Sequence, residues 1–393
     1  MSNKPQYYFT TIAAQIQSIQ QSTRGYLLTN PCQFPAFMLS SYATILGKGE
    51  TPMYRVGIIG LGSIAARYST PDDAYPYCHT GGIRFCETTE LVAVADMSAE
   101  RQAEFQQTWG PGFPDNAINY YETDVQMLES EDLDIVAVCV RGPHHFQVMQ
   151  NVLRADIKAI FLEKPAGCSL EEVDRMTAGA DAKGIPIVVD YTRHWGPHLI
   201  RLQSLIRDGL IGEVQTVIGY CGGGVLSFAI HTTDMICQFA GYDPVSVTGF
   251  VSGGGDVPEP YEPEPAIIGS TIQFESGVIG FHVGNHGTRG GFSVDILGSE
   301  GSVQTGFYSG ATVHRAGKLV DNDTLDLPEN ASPFKVAYKQ ITDYLDGGAL
   351  PHCARDDYTA VNEIGFATIE SDITGQIVQL PCQNRKRLIF ANG

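Results

Sequence analysis

The chain is short of positive charge. Lysine and arginine number 25 against 44 aspartates and glutamates, a formal net charge of −19 at pH 7. A field of that sign repels nucleic acid and anionic lipid, so neither is an expected partner. No apolar run is long enough to span a bilayer. The first residues lack a basic stretch, an apolar run and a small-residue cleavage site in sequence, which argues against a secretory signal. The nine cysteines include no Cys-x-x-Cys pair, and Cys139 and Cys237 sit in apolar surroundings as small core residues. An odd, scattered set fits a reducing, cytoplasmic setting. The tandem His144-His145 is followed by no further ligand at a metal-site spacing, so no metal is expected. Internal repeats are absent as well.

What is present is a sharp turn after an apolar strand. Tyr54, Val56, Ile58 and Ile59 form a run the length of a buried parallel strand. It leads into Gly60-Leu61-Gly62-Ser63-Ile64-Ala65, a Gly-x-Gly-x-x-Ala turn. Gly60 permits the tight turn, Gly62 has no side chain to block a pyrophosphate, and Ala65 lets the following helix pack on the strand. Ser63 and Ile64 lie inside the turn, where backbone N–H groups face the phosphates. A second apolar strand, 91–95, ends in Asp96. A carboxylate there accepts the ribose hydroxyls and repels a 2′-phosphate, which favours NAD over NADP. The alternative is that Asp96 only caps the next helix. The gap between the glycines and Asp96 exceeds the usual spacing of about 20 residues. The excess, Pro71 to Glu87, reads as a surface insertion.

Hydrophobic residues make up 43% and charged residues 18% of the 393, a soluble globular composition with room for two domains. Residues 1–52 are rich in Gln, Ser and Thr and read as an N-terminal extension, poorly ordered or preceding the true start at Met53, with a short helix near Thr11 to Gln20. From Met53 strand and helix alternate. Strands are expected at 54–59, 91–95, 135–140, 159–162 and 185–190, with helices after Ser63, Ser98 and His144 and over Thr123–Glu129 and Ser169–Lys183. That alternation predicts a doubly wound parallel sheet, a Rossmann domain over 53–190. Residues 191–393 change character. Helices at 197–208, 229–240, 333–346 and 356–374 accompany period-two strands near 213–220, 245–252, 269–275, 278–284, 291–297 and 302–307. This half reads as an α+β domain with a large open, mainly antiparallel sheet that binds substrate and oligomerises.

With the glycine turn and Asp96, the segment Glu163-Lys164-Pro165 resembles the Gfo/Idh/MocA family of nicotinamide-dependent oxidoreductases. The likeness extends from Met53 to Pro381. It includes the turn Val138 to His145, the segment Tyr191 to Pro197, the run Leu205 to Val214, and Gly223-Gly224 followed by His231 and Asp234. It also includes the sheet turns Phe274-Glu275-Ser276-Gly277 and Leu297-Gly298-Ser299-Glu300-Gly301. The resemblance implies that Gly60, Gly62, Ser63, Ile64, Ala65, Asp96, Pro143, His145, Glu163 and Lys164 frame NAD. It implies a sugar, polyol or related carbinol as substrate. It also implies a homodimer or homotetramer joined through the C-terminal sheet, since a one-sided sheet must cover its exposed face.

Oxidising a carbinol requires a base for the hydroxyl proton and a cation for the developing alkoxide. Lys164 follows the strand 159–162 and so lies in the crevice at the carboxyl ends of the strands. It is the expected proton-transferring group, with His231 as accessory acid/base. The family commonly has an aspartate four residues before that histidine; here the position is Ser227, which cannot hold a histidinium by charge. The family's long loop after the strand ending near Tyr220 is also reduced to Cys221 and Gly222. Arg193, Trp195, Asn285 and His286 are candidates to line the opened pocket, Arg193, Trp195 and Ser227 as substrate contacts. Two rival functions follow, a non-catalytic NAD-binding sensor and an NAD-dependent glycosidase.

Overall fold

The computed structural model describes residues 53–113, 118–284, 291–329 and 331–392. The N-terminal extension, Asn285 and His286 lie outside the described residues.

Six short strands, all but β3 strongly apolar, make up the first sheet: β1 (Tyr54–Ile59), β2 (Thr89–Ala95), β3 (Asn119–Tyr121), β4 (Ile135–Val138), β5 (Ala159–Leu162) and β6 (Ile187–Val189). They pair in parallel in the order β3-β2-β1-β4-β5-β6. The order reverses between β1 and β4, the switch point where ligands bind in open α/β sheets. Val56, Ile58, Leu91, Ile135 and Phe161 are fully buried, as expected of strands covered by helices on both faces.

The connection from β1 to β2 departs from expectation. After the glycines only a five-residue helical turn forms, Ser63–Arg67. A loop through Pro71 follows, where proline cannot continue a helix. Helix α1 (His79–Phe85) then completes the crossover, with His79, Thr80, Gly81, Gly82 and Ile83 buried. The segment read as a surface insertion is therefore partly core. Gly82 shows why: a Cβ there would stand 2.4 Å from Cβ of Phe334. The other crossover helices are α2 (Ala99–Trp109), α3 (Asp124–Ser130), α4 (Gly142–Val152) and α5 (Leu170–Asp181). Ser98 and Ser169 cap α2 and α5 by accepting backbone N–H groups.

Beyond β6 come α6 (Pro197–Arg207), β7 (Val214–Tyr220), α7 (Ile230–Ala240), β8 (Pro244–Ser252), β9 (Glu262–Pro263), β10 (Ala266–Phe274), β11 (Ile279–Val283), β12 (Ser293–Gly298), β13 (Gly301–Gly306), β14 (Ser309–Arg315) and β15 (Lys318–Leu319). Helices α8 (Pro333–Leu345) and α9 (Arg355–Thr374) precede β16 (Val378–Gln379) and β17 (Ile389–Phe390). Nine of these strands form one sheet, β15-β14-β13-β12-β7-β11-β10-β8-β16. Its pairings are antiparallel except β7 with β11. Helices α7 and α9 pack so closely on it that a Cβ at Gly219 would meet Thr232 at 2.5 Å and one at Gly249 would meet the Thr368 carbonyl at 2.5 Å. Phe250, Ile268, Phe281 and Leu297 of this sheet are exposed. Among the described residues no helix is long and apolar enough to cross a membrane.

Candidate active site

A cavity of about 840 Å³ opens at the switch point. The glycine turn forms one wall. Gly60 has φ +91°, and a Cβ there would lie 2.9 Å from the Cys139 backbone. At Gly62 the nearest atom to a built Cβ is the Cys139 carbonyl at 4.0 Å, so a side chain would project into open space that a pyrophosphate needs. Asp96 stands at the tip of β2. Its Oδ2 accepts the Leu61 N–H and its Oδ1 the Ser98 N–H, both at 2.8 Å. The carboxylate thus ties the strand tip to the glycine turn. Its remaining lone pairs serve as acceptors at the cavity, which it lines together with Arg67 and Arg101. Ser98, not Asp96, caps α2. These residues fit a dinucleotide.

Ser63, Ile64, Glu163, Lys164, Arg193, Ser227 and His231 also line the cavity. Other expected residues stand behind its wall. Ala65 is fully buried, and Pro143 sits in the first turn of α4. His145 is also fully buried, its ring nitrogens each 2.8 Å from the carbonyls of Pro165 and Val140. It braces the turn before α4 against the Lys164-Pro165 segment, while His144 faces the cavity. Trp195 is a core residue, edge-on to Phe161 at 5.5 Å.

Lys164 donates from Nζ to the Ser227 carbonyl at 2.7 Å. Burial pushes its proton affinity below that of an ordinary lysine, against the opposing pull of Glu163. Ser227 therefore matters through its backbone and makes no bond to the His231 ring. The carbonyl is fixed by a residue that sequence reasoning missed. Glu264 Oε1 accepts the N–H groups of Leu226 and Ser227 at 2.6 and 2.7 Å. A lone glutamate in a Pro/Gly/Glu loop carries no signal of that role.

Arg193, in the turn Thr192–Trp195 after β6, lies with its guanidinium carbon 4.0 Å from the centre of the Phe292 ring. Its Nη1 is 3.0 Å from Nε2 of His231. Arginine only donates, so Nε2 is the acceptor and the ring proton belongs on Nδ1. That Nδ1 is buried with no partner. Burial first, then Arg193 and Lys164, hold His231 well below the ordinary histidine pKa.

Beneath Lys164 lies a second buried group. His79 approaches Glu163 Oε1 at 3.1 Å and the Tyr338 hydroxyl at 3.0 Å. Oxygens of Glu163 and Asp190 and a ring nitrogen of His79 fall within 4.8 Å of one another. Burial lowers His79 to about 4 and raises both carboxyls, with Glu163 adding to the rise at Asp190. A further cluster joins His194, Asp234 and Cys353. In it His194 Nδ1 meets Asp234 at 3.0 Å and Nε2 meets His352 at 2.7 Å. Since the histidine nitrogens in both clusters are engaged, no metal is assigned to either.

Residues 54–191 match the family model described as oxidoreductase family, NAD-binding Rossmann fold, named for Gfo, Idh and MocA. Myo-inositol 2-dehydrogenase of Thermotoga maritima is 22% identical over 63% of this chain and 74% of its own length. D-xylose 1-dehydrogenase [NADP(+)] of Haloarcula marismortui is 24% identical over 73% of this chain and 79% of its own. Levoglucosan dehydrogenase, solved with NADH and levoglucosan, superposes with a TM-score of 0.67 at 17% identity, covering 84% of this chain and 100% of that one. The fold is shared with that solved structure, and the residues that line the cavity at the glycine turn lie within the matched NAD-binding Rossmann segment. Over residues 54–191 the chain matches the NAD-binding Rossmann fold of the Gfo/Idh/MocA oxidoreductase family.

Proposed function

We propose that the chain oxidises or reduces a CH–OH group of a sugar, polyol or related small molecule with NAD. One observation carries the reading: Lys164 is half-buried at the tip of β5, in the same cavity as the glycine turn, with its ammonium held by the Ser227 carbonyl. When bound, NAD supplies the acceptor for the carbinol hydrogen. The chain's own residues handle the proton. A lysine whose burial lowers its proton affinity takes the hydroxyl proton while its N–H groups steady the alkoxide oxygen. Glu163 holds the lysine's surroundings in place through its bond to His79. Asp96 favours a free 2′-hydroxyl, hence NAD. The named relatives act on inositol and xylose, which supports a polyhydroxylated substrate.

Purified protein mixed with NAD and a panel of sugars and polyols tests this. Growth of reduced-nicotinamide absorbance on at least one neutral or acidic sugar is expected. Tight NAD binding with no absorbance growth on any member would favour the sensor. That second reading draws on two observations, the uncharged Ser227 and the engagement of His231 by Arg193.

We further infer that the exposed apolar face of the nine-stranded sheet is covered by a second copy. Phe250 is 59% and Ile268 48% exposed, an arrangement costly to leave in water. Sedimentation should show a dimer or larger assembly, and Phe250→Asp should shift it toward monomer.

A further inference from the structure

We propose that the substrate carries a carboxylate and that Arg193 is its docking residue. This rests on the oxidoreductase reading above and narrows its substrate to sugar acids or related hydroxy acids.

Arg193 lines the cavity with Lys164. Its Nε is buried without any hydrogen-bond partner, and no carboxylate oxygen of a described residue lies within 4.0 Å of its nitrogens. Glu163 and Asp190 stand on neighbouring strand tips but make no ion pair with it. The guanidinium is instead stacked on Phe292 and makes its one bond to an imidazole. A half-buried guanidinium whose Nε is buried unpaired, with no carboxylate in ion-pair contact, is poised for a ligand that brings one. The planar fork of arginine matches a carboxylate bidentately. The single fork of Arg193 matches the one charge and two oxygens of a carboxylate rather than a phosphate dianion.

The arrangement also gives substrate binding a consequence. A carboxylate drawing Arg193 away from His231 releases Nε2 and weakens one of the two cations that, after burial, depress its proton affinity. His231 then becomes able to accept a proton beside Lys164. In the oxidation the carbinol carbon gives up hydrogen with its electron pair to NAD, and the hydroxyl proton passes to Lys164 or His231. The product is the carbonyl form of the same acid.

The test uses the full chain with NAD present. Binding of D-gluconate and D-glucuronate is compared with that of D-glucose, D-glucitol and D-glucose 6-phosphate by calorimetry, alongside turnover. The acids should bind roughly tenfold or more tighter than their neutral counterparts. Arg193→Gln should abolish that difference, and Arg193→Lys should retain part of it. Nitrogen NMR of His231 should show its pKa rising when an acid binds. Equal binding of neutral and acid sugars, preference for the phosphate, or an unchanged preference in a folded Arg193→Gln would overturn the proposal. Oxidation of neutral polyols alone would overturn it while leaving the oxidoreductase reading intact. Absence of NAD binding and of turnover with every compound would remove that underlying reading and the proposal with it.

Discussion

Arg193 donates to Nε2 of His231 at 3.0 Å, and this one bond decides which form of the imidazole the site holds. With Nε2 occupied as an acceptor, the ring is neutral and protonated on Nδ1. Nitrogen NMR of the ligand-free protein should therefore show an unprotonated Nε2 through pH 6, below the point where free histidine charges. Arg193→Gln removes a neighbouring cation and should raise the His231 pKa. A His231 that titrates near the ordinary value with Arg193 intact would contradict the assignment.

Lys164 makes the next prediction. Lys164→Ala should leave NAD affinity nearly unchanged and lower turnover by about a hundredfold. In the parent protein the oxidation rate should rise with pH through an ionisation below the ordinary lysine value of about 10.4, because burial disfavours the ammonium. Lys164→Arg, which cannot lose its proton in this range, should flatten that limb. Full turnover in Lys164→Ala would take the residue out of the chemistry.

Much of this was legible because periodic and motif signals are local. The glycine turn, Asp96 and Lys164 each follow an apolar strand, and strand tips converge at a switch point wherever the strands are parallel. The strands β1 and β5 and the helix α7 fall where apolar patterning put them, within a residue or so. What stayed hidden depends on contacts far apart in sequence. His79 looked like part of a surface insertion, yet it meets Tyr338 and Glu163. Glu264 holds Ser227 across a loop without pattern. Trp195 looked like a pocket residue because aromatic side chains serve both roles, and only packing on Phe161 settles which. Ser227 was weighed by its hydroxyl, whereas its carbonyl carries the bond.

Asp96 ties the strand tip to the glycine turn, and its proposed role in cofactor selection can be tested apart from that. Asp96→Ala would leave the N–H groups of Leu61 and Ser98 without acceptors, at a cost of about 1–3 kcal/mol for each group that stays buried. It should also weaken NAD and narrow the advantage over NADP. Asp96→Asn keeps an oxygen for one of those N–H groups but not the negative charge. It should lose less stability while narrowing the NAD preference by electrostatics alone. Dissociation constants for both nucleotides, with urea midpoints, separate the two effects. Unaltered nucleotide preference in both variants would remove Asp96 from cofactor selection.

Asp190 provides a test in stability. Burial, reinforced by Glu163, raises its pKa well above the ordinary value, so the native protein holds a proton that the unfolded chain releases above about pH 3.9. Native protein then binds more protons than unfolded, and this residue makes stability fall as pH rises until the native carboxyl ionises. His79 and His145, lowered to about 4 by burial, act in the opposite sense. Between their native value and about 6.5 the unfolded chain binds protons that the native rings refuse, so their contribution is lost as pH falls. The two effects oppose each other between about pH 4 and 6.5. Asp190→Asn deletes the first and also removes the pull of Asp190 that raises His79, leaving the His145 contribution in place. Relative to the parent, the variant should gain stability with rising pH by up to about 1.4 kcal/mol per pH unit. Urea unfolding of both proteins at pH 5, 6 and 7 measures this. Parallel pH dependences would mean that Asp190 is already ionised in the native protein.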